Sequence, residues 1–421
     1  PAMIEEAHQR AAAAQPAWNA LGGDGRARVL EAMADAVEAG RESLCALMVR
    51  EAGKTWSDAI AETREAADFC RYYAKLAREQ FGAPITLTGP VGERNTYGLH
   101  GRGVFVCISP WNVPLAIFTG QIAAALAAGN AVLAKPAEQT PLIAHKAVKL
   151  FYGAGLHPDL LALLPGDGAK IGAALVAHPG IAGVAFTGGT DTARAINRAL
   201  AGRDGPIAPL IAETGGLNGM FVDTTALKEQ VIDDVIASAF GAAGQRCSAL
   251  RLLFLPRELA DDYIAALKGA MDMLKLGDPA DFAVDVGPVI DLDAQEALQR
   301  HLDTLAARGQ VLHRTSTPDL NGRFFAPTLA EIGDPAELER EAFGPILHVV
   351  RYDSQAPEAM AEALAARGYG LTLGVHSRLE SFAERIMRAV PAGNVYVNRT
   401  ITGAVVGVQP FGGEGLSGTG P

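Results

Sequence analysis

Cys247 lies in a stretch of small and cationic residues, FGAAGQRCSALR. Small neighbours leave space beside the sulfur, and the adjacent Arg246 adds positive potential, which favours the thiolate. A thiolate is the strongest nucleophile among side chains at neutral pH, so this context suits covalent catalysis. Most lone cysteines are inert and buried, which is our expectation for Cys45 and Cys70 on helices and Cys107 in a strand. Context alone leaves both interpretations of Cys247 open.

Two small-residue turns have the character of phosphate-binding turns. In GVAFTGGTDTARAIN an apolar strand meets Gly188 and Gly189 and then a helical pattern. Such a turn lets backbone N–H groups and a helix N-terminus approach the pyrophosphate of a dinucleotide. The spacing is not G-x-G-x-x-G, and a plain tight turn is the alternative. A second turn, LLPGDGAKIG, has the same character and the same ambiguity.

The segment AVLAKPAEQTP places Lys135 and Glu138 just after an apolar strand. In open α/β sheets, ligands bind beyond the carboxyl ends of the strands. A carboxylate there can accept hydrogen bonds from ribose hydroxyls and repels a 2′-phosphate, which favours NAD over NADP. The alternative is a solvated lysine near a glutamate at a helix N-terminus, where negative charge is stabilised.

The elements that must position these residues follow from the hydrophobic periodicity. Apolar residues at three- and four-residue spacing predict helices over 1–80, and the Gly-, Pro- and Thr-rich segment 82–103 predicts an extended arm or hairpin. Strands then alternate with helical stretches, as strand-crossover-strand units require. The strands are GVFVCIS, AVLAKP, LALLPG and GVAFTG. This pattern predicts an α/β fold with a doubly wound parallel sheet.

A second alternating series starts after Glu213 and predicts a second α/β domain, with the boundary near Gly215. Its strands are MFVD, LRLLFL, FAPTLAEI, ILHVVRY, LTLGVHS and NVYVN. Its helices include QVIDDVIASAFGAAG and DDYIAALKGAMDMLKLG. The chain has no fixed-period repeat, which argues against a solenoid.

The composition excludes several classes of protein. Of 421 residues, 49% are hydrophobic and 20% charged, which supplies cores for two or three domains and excludes disorder as the main state. A net charge of −11 argues against nucleic acid and anionic membranes as partners. The uncharged run 103–134 is broken by prolines, asparagines and glycines, so it does not predict a transmembrane segment. The histidines and cysteines form no metal-ligand or disulfide pattern, which predicts no metal site and a reducing cytoplasm.

Seven short motifs occur in order between residues 109 and 413: SPWN, KPAEQTP, FTGGT, ETGG, GQRCS, EAFGP and PFGG. Together they resemble the aldehyde dehydrogenase superfamily. The longer strings GQRCSALR, GPILHVVRY and GAVVGVQPFGGEGLSGTGP are most similar to the L-glutamate gamma-semialdehyde dehydrogenase domain of the bifunctional proline utilization A family. The resemblance implies an aldehyde dehydrogenase-like fold. Its parts would be an NAD-binding domain over 1–215 with an arm near 82–103, a catalytic domain over 216–402 and a substrate-binding return segment over 403–421.

The resemblance also implies an activity, the NAD-dependent oxidation of L-glutamate gamma-semialdehyde to L-glutamate in proline breakdown. Cys247 would attack the aldehyde carbon and form first a hemithioacetal and then a thioester. The Asn112 side-chain amide and the Cys247 N–H would stabilise the oxyanion, at about 3 kcal/mol per donor. Glu213 would activate the hydrolytic water. Without the family, Glu213 is an ordinary acid whose neighbours Gly215 and Gly216 favour a closely approached backbone.

The same resemblance assigns binding residues. Those for NAD would be Pro110, Trp111, Lys135, Glu138, Gly168, Gly188, Gly189, Glu341 and Phe343. Within this set Glu341 would hold the nicotinamide ribose, while Lys135 and Glu138 would hold the adenosine ribose. The residues that anchor the distal carboxylate of the substrate and cover its aliphatic chain would be Ser248, Gly403, Ala404 and Phe411.

Two departures from the family pattern bear on specificity. Val113 stands where this branch has phenylalanine, which loosens an aromatic substrate slot and leaves open an aldehyde dehydrogenase for another semialdehyde. Gly189 replaces a serine and removes one hydroxyl contact to the pyrophosphate. An alternative of another class is a catalytically silent scaffold of the same fold. The presence of both Cys247 and Glu213 argues against it.

The expected partners are a small aldehyde and a proline dehydrogenase domain of the same parent polypeptide, whose FAD would belong to that domain. The first residue is Pro1, and the resemblance predicts strands before this segment and an oligomerisation strand after it. Assembly into a homo-oligomer is therefore an open expectation.

Overall fold

The computed structural model describes residues 2–317, 319 and 321–420, and the chain forms two compact units. The first contains residues 1–52 and 59–212, and the second contains 53–58 and 213–421. We predicted a boundary near residue 215, and the unit changes between 212 and 213. The segment 53–58 packs with the second unit, which the helical periodicity around it does not indicate.

Four helices open the chain, as the spacing of apolar residues predicts. They are α1 (Ala2–Ala20), α2 (Gly22–Ala39), α3 (Arg41–Ala52) and α4 (Trp56–Gln80). The Gly-rich segment that follows forms an antiparallel hairpin of β1 (Ile85–Leu87) and β2 (Asn95–Tyr97). Both hairpin strands are largely exposed, so this arm adds little to the core.

The sheet of the first unit is doubly wound, which confirms the predicted fold class. Its elements are β3 (Val104–Ile108), α5 (Ala116–Ala127), β4 (Ala131–Lys135), α6 (Pro141–Gly153), β5 (Leu161–Leu163), α7 (Ala173–Ala177), β6 (Ile181–Thr187), α8 (Thr190–Ala201) and β7 (Leu210–Glu213). The strand order is β5-β4-β3-β6-β7. The chain therefore winds from β3 to one side and then to the other, with the switch point between β3 and β6, where open α/β sheets bind ligands.

The second unit is built on a sheet with the order β10-β11-β12-β9-β8-β14-β15. All neighbours are parallel except β10 and β11 at one edge. The elements are β8 (Gly219–Val222), α9 (Lys228–Phe240), β9 (Leu252–Pro256), α10 (Ala260–Asp272), α11 (Leu292–Ala307), β10 (Val311–Arg314), β11 (Thr328–Glu331), β12 (Ile346–Tyr352), α12 (Pro357–Ala365), β13 (Tyr369–Gly370), β14 (Thr372–His376), α13 (Glu380–Ala389), β15 (Asn394–Val397) and β16 (Glu414–Gly415). All six strands predicted in this half form.

The helix predicted over QVIDDVIASAFGAAG ends early, at Phe240. Ala242 and Ala243 adopt left-handed φ angles of 53° and 56°, and Gly244 follows at 66°. This conformation costs roughly 1 kcal/mol or more at each alanine, so the surroundings must hold it. The backbone therefore leaves α9 in a tight left-handed turn just before Cys247. The second predicted helix, α10, likewise ends at Asp272 and does not reach Gly277.

The described part of the return segment, residues 403–420, packs within the second unit. Strand β16 pairs antiparallel with β13, and Gly393 lies directly against the backbone of Gly412. A β-carbon on Gly393 would come 1.8 Å from the Gly412 carbonyl oxygen, so only glycine allows this approach.

Gly393→Ala should destabilise the second unit, because the methyl group would force the return segment away. Overpacking of this kind costs about 1–3 kcal/mol, and a backbone carbonyl cannot rotate aside. Gly269→Ala is the matched control, since Gly269 is exposed inside α10 with nothing within 4 Å of its β-carbon. That variant should gain about 0.5–1 kcal/mol. Urea denaturation measures both, and equal stability of the two variants would contradict the described contact.

Candidate active site

Three strand ends meet at the switch point of the first sheet. Ile108 of β3 lies opposite Lys135 of β4 and Phe186 of β6. The structure therefore brings together most residues of this unit that we assigned to the cofactor. They are Pro110, Trp111, Lys135, Glu138, Gly188 and Gly189.

Lys135 and Glu138 form a partly buried ion pair. Lys135 is 3% exposed, and its Nζ donates to the Pro136 carbonyl at 3.0 Å and to Glu138 Oε1 at 3.3 Å. Glu138 Oε1 also accepts from the N–H of Gly168, which brings the second small-residue turn to the same place. The solvated lysine of the alternative interpretation is therefore absent. The Glu138 side chain remains 49% exposed, so its carboxylate can accept from a ligand hydroxyl.

The turn from β6 to α8 has the features of an anion site. A β-carbon on Gly188 would lie 2.6 Å from the Phe186 ring, so the position requires glycine. Gly189 occupies the N-cap position of α8, which has no side-chain cap. The positive end of a helix without such a cap stabilises negative charge. Together with the Glu138 carboxylate, this turn fits a dinucleotide.

Asn112 is 8% exposed in the loop that follows β3. A buried carboxylate fixes the end of that loop, because Glu62 Oε1 on α4 accepts from Leu115 N at 2.7 Å and Ala116 N at 3.3 Å. Negative charge is favourable at the first turn of α5. Sequence reasoning missed Glu62, since an acid within an amphipathic helix is usually a surface residue.

In the second unit, one buried amide holds the cysteine segment. Asn218 Nδ2 donates to the carbonyls of Cys247 at 2.6 Å and Ala249 at 2.9 Å. Its Oδ1 accepts from the Thr372 N–H at 3.1 Å. Asn218 is 2% exposed and thereby joins the start of β8, the cysteine segment and β14. Its place in the turn-like string GGLNG gave no sign of this role.

Cys247 is a half-buried free thiol. Burial, together with the negative charges of Glu341 and Glu213, raises the pKa of the thiol to about 12. The expectation that Arg246 favours the thiolate is wrong, because its guanidinium pairs with Asp58 at 2.6 Å. The thiol is therefore protonated at pH 7 and must lose its proton as it reacts.

Glu213 lies at the end of β7 beside the return segment. Its Oε2 accepts from the Gly413 N–H at 3.2 Å, and its backbone forms a bridge with Gly418. Burial raises the pKa of Glu213 to about 8. A carboxyl group with this pKa can act as a general base near neutral pH. Because it acts electrostatically on Cys247, Glu213 is suited to chemistry at that sulfur.

Glu341 and Phe343 lie in the segment before β12. Glu341 is 14% exposed in its side chain, and its Oε1 accepts from Arg251 Nη2 at 2.9 Å. A β-carbon on Gly215 would come 1.9 Å from Glu341 Oε2, so this glycine makes room for the carboxylate. The Phe343 ring centroid lies 5.3 Å from the Arg251 guanidinium carbon. The ETGG, GQRCS and EAFGP motifs therefore converge in this unit.

The predicted substrate residues belong to the same unit. Ser248 is 7% exposed, and its carbonyl accepts from Thr372 Oγ1 at 3.3 Å. Gly403 has a φ of 76°, and its carbonyl accepts from Arg399 Nη2 at 3.3 Å. Ala404 follows it, and Phe411, 37% exposed, precedes the paired glycines of the return segment. Arg399 was missed by sequence reasoning, and the role of these residues in binding stays a prediction.

Within residues 2–317, 319 and 321–420, no cluster of three or more His, Cys, Asp or Glu side chains could ligate a metal ion. In that same described part of the chain, none of the helices combines the length and apolar character that a membrane span needs.

The first unit carries a strand switch point suited to a dinucleotide, and the second carries Cys247 and the buried Glu213. These are the features expected of an aldehyde dehydrogenase. The sequence profile of the aldehyde dehydrogenase family matches residues 1–421, and the chain belongs to that family.

Similar proteins narrow this class. The bifunctional protein PutA of Klebsiella aerogenes is 49% identical over 100% of this chain, which covers 32% of that protein. A 1-pyrroline-5-carboxylate dehydrogenase of Geobacillus sp. (strain WCH70) is 36% identical over 99% of the chain and 81% of its own length.

Solved structures agree with these similarities. A crystal structure of bifunctional proline utilization A has a TM-score of 0.98 and 54% identity, covering 100% of this chain and 43% of that one. A Thermus 1-pyrroline-5-carboxylate dehydrogenase with bound NAD has a TM-score of 0.94 and 35% identity. The match covers 99% of this chain and 81% of that one. The chain thus spans less than half of the bifunctional relatives it matches.

Asn218→Leu should destabilise the second unit by about 2–5 kcal/mol. The leucine leaves the carbonyls of Cys247 and Ala249 and the N–H of Thr372 without their partner, and each unsatisfied buried group costs about 1–3 kcal/mol. Thr372→Val is the control, because it removes only the hydroxyl donor to Ser248 and should cost about 1 kcal/mol. Thermal and urea unfolding measure both changes, and a cost for Asn218→Leu no larger than the control would refute this role.

Proposed function

We propose that this chain oxidises L-glutamate gamma-semialdehyde to L-glutamate with NAD as the electron acceptor. The observation that carries the proposal is the placement of Glu213, a carboxyl whose pKa is about 8, where it acts on the Cys247 thiol. Relatives named 1-pyrroline-5-carboxylate dehydrogenase support the substrate, because that cyclic imine opens with water to the semialdehyde.

The reaction begins at Cys247. The sulfur attacks the aldehyde carbon as the thiol proton passes to water, and a tetrahedral hemithioacetal oxyanion forms. The negative charge that develops on the aldehyde oxygen is stabilised by the Cys247 N–H and the side-chain amide of Asn112. Each such donor contributes roughly 3 kcal/mol to the stability of the transition state. The loop that carries Asn112 is fixed at its far end by Glu62, which accepts from the Leu115 N–H.

The residues that would hold the cofactor are those that the family resemblance assigns. Lys135, Glu138 and the Gly168 turn bind the adenosine ribose, and the N-terminus of α8 at Gly188 and Gly189 binds the pyrophosphate. Pro110 and Trp111 line the site, and Glu341 with Phe343 binds the nicotinamide end. When bound there, NAD would supply the hydride acceptor. Loss of a hydride from the hemithioacetal carbon leaves a thioester on Cys247. The exposed carboxylate of Glu138 repels a 2′-phosphate, which favours NAD over NADP.

Glu213 completes the reaction by hydrolysis. Its carboxylate takes a proton from water, and the resulting nucleophile attacks the thioester on Cys247. Glutamate is released, and the sulfur leaves as thiolate and is reprotonated. The N–H of Gly413 holds one carboxylate oxygen, so the other can face the water.

Substrate selection rests on the distal carboxylate. Ser248 and the N–H groups of Gly403 and Ala404 bind it, and Phe411 covers the aliphatic chain. Arg399 orients this turn by donating to the Gly403 carbonyl. Val113 widens the slot beside Asn112, and this substitution is the one observation that favours a different semialdehyde as substrate.

The semialdehyde is supplied by a proline dehydrogenase domain of the same polypeptide. Bifunctional relatives of which this chain covers 32% support that proposal. A reducing cytoplasm remains the expected location, in agreement with four free cysteines.

Cys247→Ala should abolish aldehyde oxidation and leave NAD affinity nearly unchanged, because the thiol forms the covalent bond and adds little to cofactor binding. The measurement is NADH absorbance with semialdehyde, together with calorimetric titration of NAD. Cys45→Ala is the control, and it should retain full turnover per folded molecule. Substantial turnover by Cys247→Ala would remove this mechanism.

Glu213→Gln should lower steady-state turnover by roughly 100-fold, since it removes the general base, and should leave a pre-steady-state burst of NADH. In the unmodified protein, turnover limited by hydrolysis should rise with pH and level off above about 8, because the base works deprotonated and its pKa is about 8. Stopped-flow absorbance measures both the burst and the pH dependence of turnover. The pH range should be 6–10, roughly two units either side of that pKa. Loss of the burst would place Glu213 in the attack step as well.

Pentanal should be oxidised at least about tenfold less efficiently than the semialdehyde, because the carboxylate donors would be left unpaired at about 1–3 kcal/mol each. Val113→Phe should improve semialdehyde oxidation through packing worth about 1 kcal/mol. A comparison of kcat/KM for the two aldehydes in both proteins is the measurement. Equal efficiency with pentanal and semialdehyde would favour a general aldehyde dehydrogenase.

A further inference from the structure

Arg251, at the start of β9, uses every N–H of its guanidinium group. The side chain is 0% exposed. Its Nε and Nη2 both donate to Glu341 Oε1, at 3.2 and 2.9 Å. Its Nη1 donates to the carbonyls of Gly244 at 2.7 Å and Gly344 at 3.2 Å. Its Nη2 also donates to the backbone carbonyl of Arg246 at 3.0 Å. A guanidinium has five N–H groups, so its donor capacity matches these contacts.

The partners of Arg251 lie in two separate segments of the second unit. One is 244–246, which follows the left-handed residues Ala242 and Ala243 and leads directly into Cys247. The other is 341–344, which carries Glu341 and Phe343. Neither segment is part of a regular strand or α-helix, so ladder hydrogen bonds do not satisfy these carbonyls. The carbonyls of Arg246 and Gly344 also accept from the N–H groups of Ala249 and Ile346. Arg251 adds a side-chain donor to each of them and to the Gly244 carbonyl, and so links both segments to one side chain.

We propose that Arg251 is a positioning residue that holds the nucleophile segment and the cofactor-ribose segment in one fixed relation. This inference rests on the proposed function, because it takes Cys247 as the nucleophile and Glu341 as a cofactor ligand. A lysine would keep the charge but has three donors on one nitrogen and no planar fork. It would also lose the stacking on the Phe343 ring.

Charge adds a second contribution to this arrangement. Glu341 and Glu213 both disfavour ionisation of the Cys247 thiol, and Arg251 is the cation that opposes them. The other nearby cation, Arg246, is engaged by Asp58. A substitution of Glu341 should therefore alter the ionisation of the Cys247 thiol as well as the binding of the cofactor.

Arg26 provides a matched comparison for a purely structural arginine. It is 1% exposed, and it donates to the carbonyls of Ala127 at 3.0 Å and Asn19 at 2.8 Å in the first unit. Loss of its contacts should lower stability without altering the cysteine or the cofactor-ribose segment.

The test compares Arg251→Lys with Arg26→Lys in the full 421-residue chain. The first readout is the rate of Cys247 alkylation by iodoacetamide at pH 8 without cofactor, followed by mass spectrometry of the peptide that carries it. Arg251→Lys should raise this rate at least fivefold, because a loosened segment exposes the half-buried thiol. The second readout is NAD affinity by calorimetry, which should fall at least fivefold. Arg26→Lys should leave both within twofold while lowering Tm.

If Arg251→Lys leaves alkylation within twofold, or moves only one of the two readouts, the two segments are not linked and the inference is overturned. If Arg251→Lys does not fold, Glu341→Gln decides. Glu341→Gln should speed alkylation at least fivefold, because it removes a negative charge near the sulfur. The control Glu339→Gln, at an exposed site, should leave the alkylation rate unchanged. An unchanged rate in Glu341→Gln overturns the inference.

Neither readout uses aldehyde turnover, so a wrong substrate leaves the test intact. An unmodified chain that binds no NAD would refute the proposed cofactor instead, and alkylation alone would then decide the link.

Discussion

Cys247 lies on an irregular backbone segment that is held partly by its own hydrogen bonds and partly by buried side chains. After α9 ends at Phe240, two alanines adopt left-handed angles, and the following carbonyls lie outside any helix or strand. Buried carbonyls left without partners would cost more than the fold can supply, so side chains must serve them. The Asn218 amide and the Arg251 guanidinium do so, and each residue lies directly before a central strand of the second sheet, β8 and β9 respectively. The position of Cys247 thus depends on two polar side chains that never touch a substrate.

The same burial sets the electrostatics of the resting site. A thiol whose pKa is about 12 and a carboxyl whose pKa is about 8 are both mainly neutral at pH 7. Neutral groups tolerate a dry environment, whereas two adjacent anions would not. A protonated thiol is also slow to oxidise, since the thiolate is the reactive form. The resting thiol of Cys247 is therefore less reactive than an exposed cysteine of ordinary pKa.

Sequence reasoning recovered the regular elements and the motifs, because apolar strands bounded by turn residues have a strong local signal. It missed β7 and β10, which are short, and β10 is also an antiparallel edge strand that breaks the alternating pattern. It assigned Arg246 to the thiol, but the true partner, Asp58, lies 188 residues earlier in the chain. It also extended a helix through Ala242 and Ala243, whose composition is helical. Their conformation is imposed by long-range contacts, which local patterns do not encode.

The return segment has a consequence for biosynthesis. Glu213 receives its hydrogen bond from Gly413, a residue 200 positions later in the chain. A ribosome adding about 5–20 residues per second needs roughly 10–40 seconds to cover that distance. During this interval the first sheet can close around its own crossovers, while the carboxylate at the end of β7 stays hydrated and keeps an ordinary acidity. Glu213 therefore reaches its buried setting, and the raised pKa that goes with it, only after Gly413 has been made, so a nascent chain carries the folded first sheet before it carries this carboxyl in its final surroundings.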